Sequence, residues 1–312
     1  MSPDAPTPRR TLSLAAYRRV AVVALLLLCA IVVSGAAVRL TGSGMGCSEW
    51  PNCEPGQFIE ISTPNQAVEQ INRLFTGLVS IGVAAAVLGS YMLAPRRRDL
   101  VWLSWGLVAG VVAQIVLGGV TVLTHLHPVS VAGHFLLSMI LVVDATVLVW
   151  RAGATDDGRA TALVKPAEVR LSWFAMAAGA LVLAVTGPLV TGSGPHAGDG
   201  SARRFSVAIP DAARIHSLSA WLFCLLVVVL LVGLYRNGAP AAVQRRGRVL
   251  LGVIVAQGAI GYTQYELGIP AWLVLAHIVG ATCIAISATW FQLGLWRITP
   301  ASERTPAGSL EV

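Results

Sequence analysis

Charge is scarce in this sequence. Of its 312 residues, 12% are Asp, Glu, Lys or Arg, while 55% are hydrophobic. A soluble domain carries about 25% charged residues, so an ordinary water-soluble chain is excluded and an integral membrane protein is expected. Lysine is scarcer still, with Lys165 the only one. No basic stripe interleaves with aromatic residues, so the net charge of +7 does not point to nucleic acid. Arginines gathered in cytoplasmic loops account for it. No small-residue cleavage site follows the first apolar run, which therefore reads as a retained anchor rather than a cleaved signal. Broken mid-membrane helices are not evident, which counts against a transporter.

What is present is a series of apolar runs. A span needs about 20 mainly apolar residues, and eight candidates satisfy this: Tyr17–Arg39, Gln70–Ala94, Leu100–Leu123, Val129–Trp150, Leu171–Val190, Ala212–Tyr235, Val249–Tyr265 and Ala271–Trp296. The seventh is short. Eight spans put both termini on one side. Seventeen basic residues then fall on that side, among them Arg9, Arg10, Arg96, Arg97, Arg98, Arg245, Arg246 and Arg304. Only Arg39, Arg73, Arg203, Arg204 and Arg214 fall on the other. This asymmetry places the termini in the cytoplasm. Trp102, Trp150, Trp272 and Trp296 lie near span ends and read as an interface belt.

The runs repeat. Ala113-Gln114 leads through Gly118 and Pro128 to His134, and Ala256-Gln257 leads through Gly261 and Pro270 to His277. Both glutamine-to-histidine intervals are 20 residues (134 − 114 and 277 − 257). Likewise Ser34-Gly-Ala-Ala-Val38 with Thr41-Gly-Ser-Gly44 matches Thr186-Gly-Pro-Leu-Val190 with Thr191-Gly-Ser-Gly194. Spans one to four therefore match spans five to eight, as parallel repeats. The expected fold is all-α: two four-helix bundles over 17–151 and 171–297. An outer loop covers 40–69, a cytoplasmic linker 152–170, and cytoplasmic tails 1–16 and 298–312.

Ionisable groups inside spans are functional candidates. His134 and His277 each sit roughly 10 Å in from an outer helix end, at about 1.5 Å per residue. His216 lies just inside span six, and Asn72 occupies the matching place in span two. Two facing imidazoles in a helical bundle suit axial ligation of haem iron. Zinc is disfavoured, because no third or fourth histidine or cysteine lies at that depth. Arg73 and Arg214 read either as partners for haem propionates or as interface anchors. The first half pairs His134 with Asn72, a poor iron ligand. Iron held there from one side keeps an open face, as a reaction site needs. Glu69 shares a helix face with Asn72 and reads as acid, base or water-positioning group, or as a helix-start carboxylate. Two similar haem-sized pockets follow, one for reaction and one for a held cofactor.

The remaining candidates are weaker. Asp144 lies mid-span with no evident partner and ranks below Glu69. His125 and His127 fall in a solvated outer link. Cys29, Cys224 and Cys283 lie inside spans and read as small apolar residues. Cys47 and Cys53 share the first outer loop, on the oxidising side, and read as a disulfide, with staple and redox roles both open. The second copy has His196 and Asp199 there instead.

With these residues in place the chain resembles the heme A synthase family. The resemblance rests on Gly42-Ser-Gly-Met-Gly-Cys47-Ser-Glu-Trp-Pro-Asn-Cys53, the Glu69-x-x-x-Arg73 segment and Gly133-His134-Phe-Leu-Leu-Ser138, in that order. It implies an oxidoreductase that converts the C8 methyl of heme O to the formyl group of heme A, for terminal oxidase assembly. It implies heme b between His216 and His277, and substrate haem in the first half with Glu69, His134, Asn72 and Arg73. The family commonly has Glu-x-x-His-Arg where this chain has Glu69-Gln-Ile-Asn72-Arg73. Implied partners are heme O, the heme O synthase that supplies it and membrane lipid, with a homo-oligomer left open. The implied location is the cell membrane. The alternatives are a bis-histidine cytochrome for quinol-linked electron transfer and a haem transport or delivery protein.

Overall fold

The structure, a computed structural model, describes residues 11–154 and 159–299. Arg9, Arg10 and Arg304 of the charge count, Gly158 of the linker and most of both tails lie outside the described residues. Long helices dominate: α1 Leu14–Leu40, α2 Pro64–Tyr91, α3 Arg98–Leu123, α4 Pro128–Arg151, α5 Pro166–Leu181, α6 Gly187–Ser193, α7 Ile209–Arg236, α8 Ala241–Glu266 and α9 Ala271–Gly294. A π-helical turn, Val182–Thr186, joins α5 to α6, so Pro166–Ser193 forms one span-length element. Among the described residues, seven elements are long and apolar enough to cross a membrane. The exception is α8, a 26-residue helix that carries Arg245, Arg246 and Arg248 near its start and Gln257 and Gln264 further on.

Helix starts follow local chemistry. Ser13 caps α1 by accepting from the Ala16 N–H. Thr63 and Gln66 form a reciprocal capping box before α2, with Pro64 just inside. That motif begins α2 six residues before the apolar run at Gln70, so Glu69 lies within the helix. Prolines also sit in the first turn of α4, α5 and α7, where a missing N–H costs nothing. The tight α3–α4 and α8–α9 turns match each other. Leu126 N–H returns to Thr121 O and Ile269 N–H returns to Gln264 O, with left-handed backbone at His125 and Leu126 in one turn and at Gly268 and Ile269 in the other.

The π turn departs from regular α-helix without breaking the span. Pro188 cannot donate a backbone hydrogen bond, and its ring crowds the carbonyl four residues back. The extra residue in the turn relieves this, and Gly187 N–H bonds to Val182 O instead. The matching stretch of α1, Ser34-Gly-Ala-Ala-Val38, has no proline and stays α-helical.

Helix α1 packs against α2 and α4, and α3 against both; α7 packs against α5, α6 and α8, and α8 against α9. The seam between these groups is made by α4 and α1 against α9, and α4 against α6. Lipid gives helices no hydrophobic reason to associate, so close packing does the holding. A Cβ at Gly110 would come within 2.4 Å of Leu141. On the arginine-rich side, Asp99 binds both Arg97 and Arg151, at 2.8 and 2.7 Å, and ties α3 to α4. One feature gave no sequence signal: β1 Arg159–Ala162 pairs antiparallel with β2 Trp296–Thr299, joining the linker to the segment after α9.

Candidate functional site

One cavity of about 1270 Å³ is lined by residues of both halves of the chain. It exceeds the roughly 300–1,000 Å³ of a single small-ligand pocket. Glu69, Asn72, Arg73 and His134 line one end, and His216 and His277 the other. The two pockets expected from sequence are thus two ends of one space. Its walls include Leu183 and Ile278, part-buried residues that pack on the first-half core.

The two ends are built alike. Gln114 Nε2 donates to the His134 carbonyl at 3.0 Å, and Gln257 Nε2 donates to the His277 carbonyl at 2.8 Å. Four residues on, a glycine clears each imidazole. A Cβ at Gly118 would lie 3.2 Å from His134 Nε2, and one at Gly261 would lie 3.0 Å from His277 Cε1. The glutamine fixes the helix backbone at the histidine, and the glycine leaves room for the ring.

Facing residues are held alike too. Thr186 Oγ1 and His216 Nδ1 share a hydrogen bond of 3.0 Å. At the matching place Ser34 Oγ donates to Asn72 Oδ1 at 2.8 Å. Sequence reasoning assigned neither hydroxyl a role. The signal was available, because Ser34 and Thr186 align in the repeat.

The second-half pair fits a haem. The ring centroids of His216 and His277 are 6.2 Å apart with planes at 69°. Imidazole nitrogens bind first-row metals at about 2 Å, which puts two rings sharing one ion on the order of 6 Å apart centre to centre. The Thr186 bond occupies His216 Nδ1 and leaves Nε2 for the cavity, as an outer partner of a metal-binding histidine does. His277 Nδ1 is buried without a partner among the described residues. No cluster of three or more His, Cys, Asp or Glu that could hold a metal ion occurs among the described residues, so two imidazoles with a porphyrin completing the coordination suit this donor set.

In the first half, Glu69 and Arg73 clamp the loop between α1 and α2. Glu69 Oε2 accepts from the Cys47 N–H at 2.9 Å, and Oε1 accepts from Arg73 Nη2 at 2.5 Å. Arg73 also donates to the carbonyls of Glu49 and Asn52. Cys47 and Cys53 form a disulfide within this loop. Trp50 of the same loop lies over α3, where a Cβ at Gly119 would meet its ring at 2.8 Å, and it lines the cavity. Sequence reasoning assigned Trp50 no role of its own. Arg73, expected near propionates, is occupied by Glu69 and the loop.

Arg214 also lines the cavity and pairs loosely with Asp211 at 3.8 Å. Other candidates fall elsewhere. His196 Nε2 bonds the Ile269 carbonyl at 2.8 Å and braces the α8–α9 turn. Asp199 takes the Ser201 amide and hydroxyl, which hold its carboxyl below the usual carboxylate range. Asp144 stands against Gly106 in α3, away from the cavity. His125 and His127 do not line the cavity either.

Comparison with known proteins agrees with this geometry. The family model described as cytochrome oxidase assembly protein (COX15-CtaA) matches residues 18–66 and 59–289. A heme A synthase of Listeria welshimeri is 28% identical over 166 residues, 51% of this chain and 53% of that protein. A heme A synthase of Bacillus pumilus is 31% identical over 159 residues, 49% of this chain and 50% of that protein. The chain spans about half the length of the curated relatives it matches. With nearly all its span-length helices inside the matched region, the chain belongs to the cytochrome oxidase assembly protein family COX15-CtaA.

Proposed function

We propose that this protein is a heme A synthase, an oxidoreductase that converts the C8 methyl of heme O to a formyl group by successive hydroxylations and loss of water. One observation carries the reading: a facing imidazole pair, His216 and His277, shares a cavity with an end that has a single imidazole, His134. The second half holds heme b through His216 and His277, and that group supplies electron-transfer chemistry when bound. The first half takes heme O, with His134 toward its iron and Asn72 on the facing wall. Glu69 handles protons at the substrate from the cavity wall, and Arg73 keeps Glu69 and the Cys47–Cys53 loop in place. A cytochrome working by electron transfer alone would call for two equivalent bis-histidine ends, and Asn72 breaks that equivalence.

The same reading takes α8 as an eighth span and the helices as two parallel-repeat bundles, 17–151 and 171–297. The matched glutamine, glycine and hydroxyl contacts of the two halves support it. The protein then sits in the cell membrane with both termini cytoplasmic, beside the heme O synthase that supplies its substrate. The decisive experiment expresses the full chain in cells that make heme O but not heme A, then extracts and separates the haems. Heme A should appear. Its absence, with haem bound and the chain folded, would refute the proposal.

A further inference from the structure

The two ends of the cavity differ in one side chain held by one hydroxyl, and that difference has a chemical direction. In the second half the Thr186 hydroxyl engages His216 Nδ1, and the other ring nitrogen, a lone-pair donor to metal, is left for the cavity. In the first half the Ser34 hydroxyl donates to Asn72 Oδ1. The Asn72 oxygen is thereby used, and its Nδ2 is the end left over. Asn72 lines the cavity, and its amide makes no other side-chain hydrogen bond among the described residues. Backbone packing is also alike: a Cβ at Gly35 would lie 4.0 Å from Asn72 Oδ1, and one at Gly187 3.7 Å from His216 Cε1. Asn72 is therefore fixed by the same neighbours as His216. It offers an N–H donor where His216 offers a lone pair, and it is shorter than an imidazole.

We propose that Asn72 is the hydrogen-bond donor to a small oxygen or nitrogen ligand, of the water, hydroxide or azide class, bound to the substrate iron on the face opposite His134. This rests on the first half being the substrate-haem end. An amide nitrogen carries no free lone pair for iron, so Asn72 leaves that coordination position open. On that assignment the shorter side chain would leave room for a small ligand where His216 places a ring. Ser34 is the positioning residue, because its hydroxyl sets which end of the amide faces the gap.

The test uses the purified full chain in detergent, loaded with ferric heme b as the probe and titrated with azide. The wild-type protein should hold one low-spin haem that ignores azide and one high-spin haem that binds it. Asn72→Leu should keep its haem content and weaken azide binding about tenfold, the loss of one hydrogen bond to an anion. Asn72→His should turn the second haem low-spin and abolish the azide response. Ser34→Ala should weaken azide binding with haem content unchanged, which covers the case in which Asn72→Leu does not fold. Unchanged azide affinity in Asn72→Leu or Ser34→Ala, or a full azide response in Asn72→His, overturns the proposal. So does a wild-type chain whose haems are both low-spin and azide-insensitive. In that case heme A formation by the same chain would leave the heme A synthase reading standing. A chain that forms no heme A and binds no haem at His134 fails on both counts.

Discussion

His277 shows how closely a single residue can be cleared for its task. A methyl at Gly261 would sit 3.0 Å from its Cε1 and 3.5 Å from its Nδ1. Gly261→Ala should cost about 1–3 kcal/mol by overpacking and lower the haem-to-protein ratio, read from the haem absorbance of purified protein. Gly252→Ala is the control, because nothing lies within 4 Å of a Cβ there. Replacing His277 with alanine should remove the low-spin spectrum altogether, and an unchanged spectrum would end its role as a ligand. Glu69→Gln should stop heme A formation while the low-spin haem of the second half remains. The histidines and Glu69 were legible because polar groups stand out in apolar runs. Ser34 and Thr186 were marked only by their match in the repeat, because serine and threonine in membrane helices commonly bond back to their own helix. Such a carbonyl is in reach here, Ile31 O at 3.2 Å from Ser34 Oγ and Val182 O at 3.2 Å from Thr186 Oγ1, but the one proton of Ser34 has its shorter contact, 2.8 Å, with Asn72 Oδ1.

At the scale of elements, the loop between α1 and α2 is a folded part rather than a tether. Its disulfide, the Glu69 bond to the Cys47 N–H and the Arg73 bonds to the Glu49 and Asn52 carbonyls act together. Cys47→Ser should lower stability by about 2 kcal/mol, seen as a reduced thermal midpoint in detergent. Thiol alkylation of the wild-type chain should in turn rise on reduction. The α3–α4 turn holds a different liability. His125 adopts a left-handed backbone at φ 51°, a conformation that costs a side-chain-bearing residue roughly 1–2 kcal/mol. The matching turn solves this with Gly268. His125→Gly should therefore raise the thermal midpoint, and a lower one would show that the side chain stabilises the turn. The paired turns and the long helices were readable from prolines and apolar periodicity. The π turn was not, since Pro188 could equally have kinked the helix or ended it. The β1–β2 ladder was hidden as well, because four-residue strands carry too little pattern.

For the whole molecule the open question is the path of α8. If it crosses the membrane, its two ends are on opposite sides, and the arginines near its start fit the cytoplasmic side. Ala242→Cys and Glu266→Cys test this with a membrane-impermeant thiol reagent. In intact cells Glu266→Cys should be labelled and Ala242→Cys should not, until the membrane is opened. Labelling of both in intact cells would remove α8 as a span. The apolar runs of the seven span-length elements were legible in the sequence. The single shared cavity was not, because seam residues such as Leu183 and Ile278 look like any other lipid-facing aliphatic residue. The repeat itself was visible, since its glutamine, glycine and histidine spacings survive with little else in common.

The 6.2 Å separation of the two imidazoles bears on turnover. Iron gripped from both faces must lose two bonds before its porphyrin can leave. Iron gripped by His134 alone must lose one. On the proposed assignment the second haem is retained through many cycles, and the first can depart as product. Incubation with an excess of a haem-scavenging apoprotein should strip the azide-binding haem quickly and the low-spin haem slowly. Two neighbouring ends of one cavity can then hold a permanent resident and a passing one, sorted by how many bonds must break on the way out.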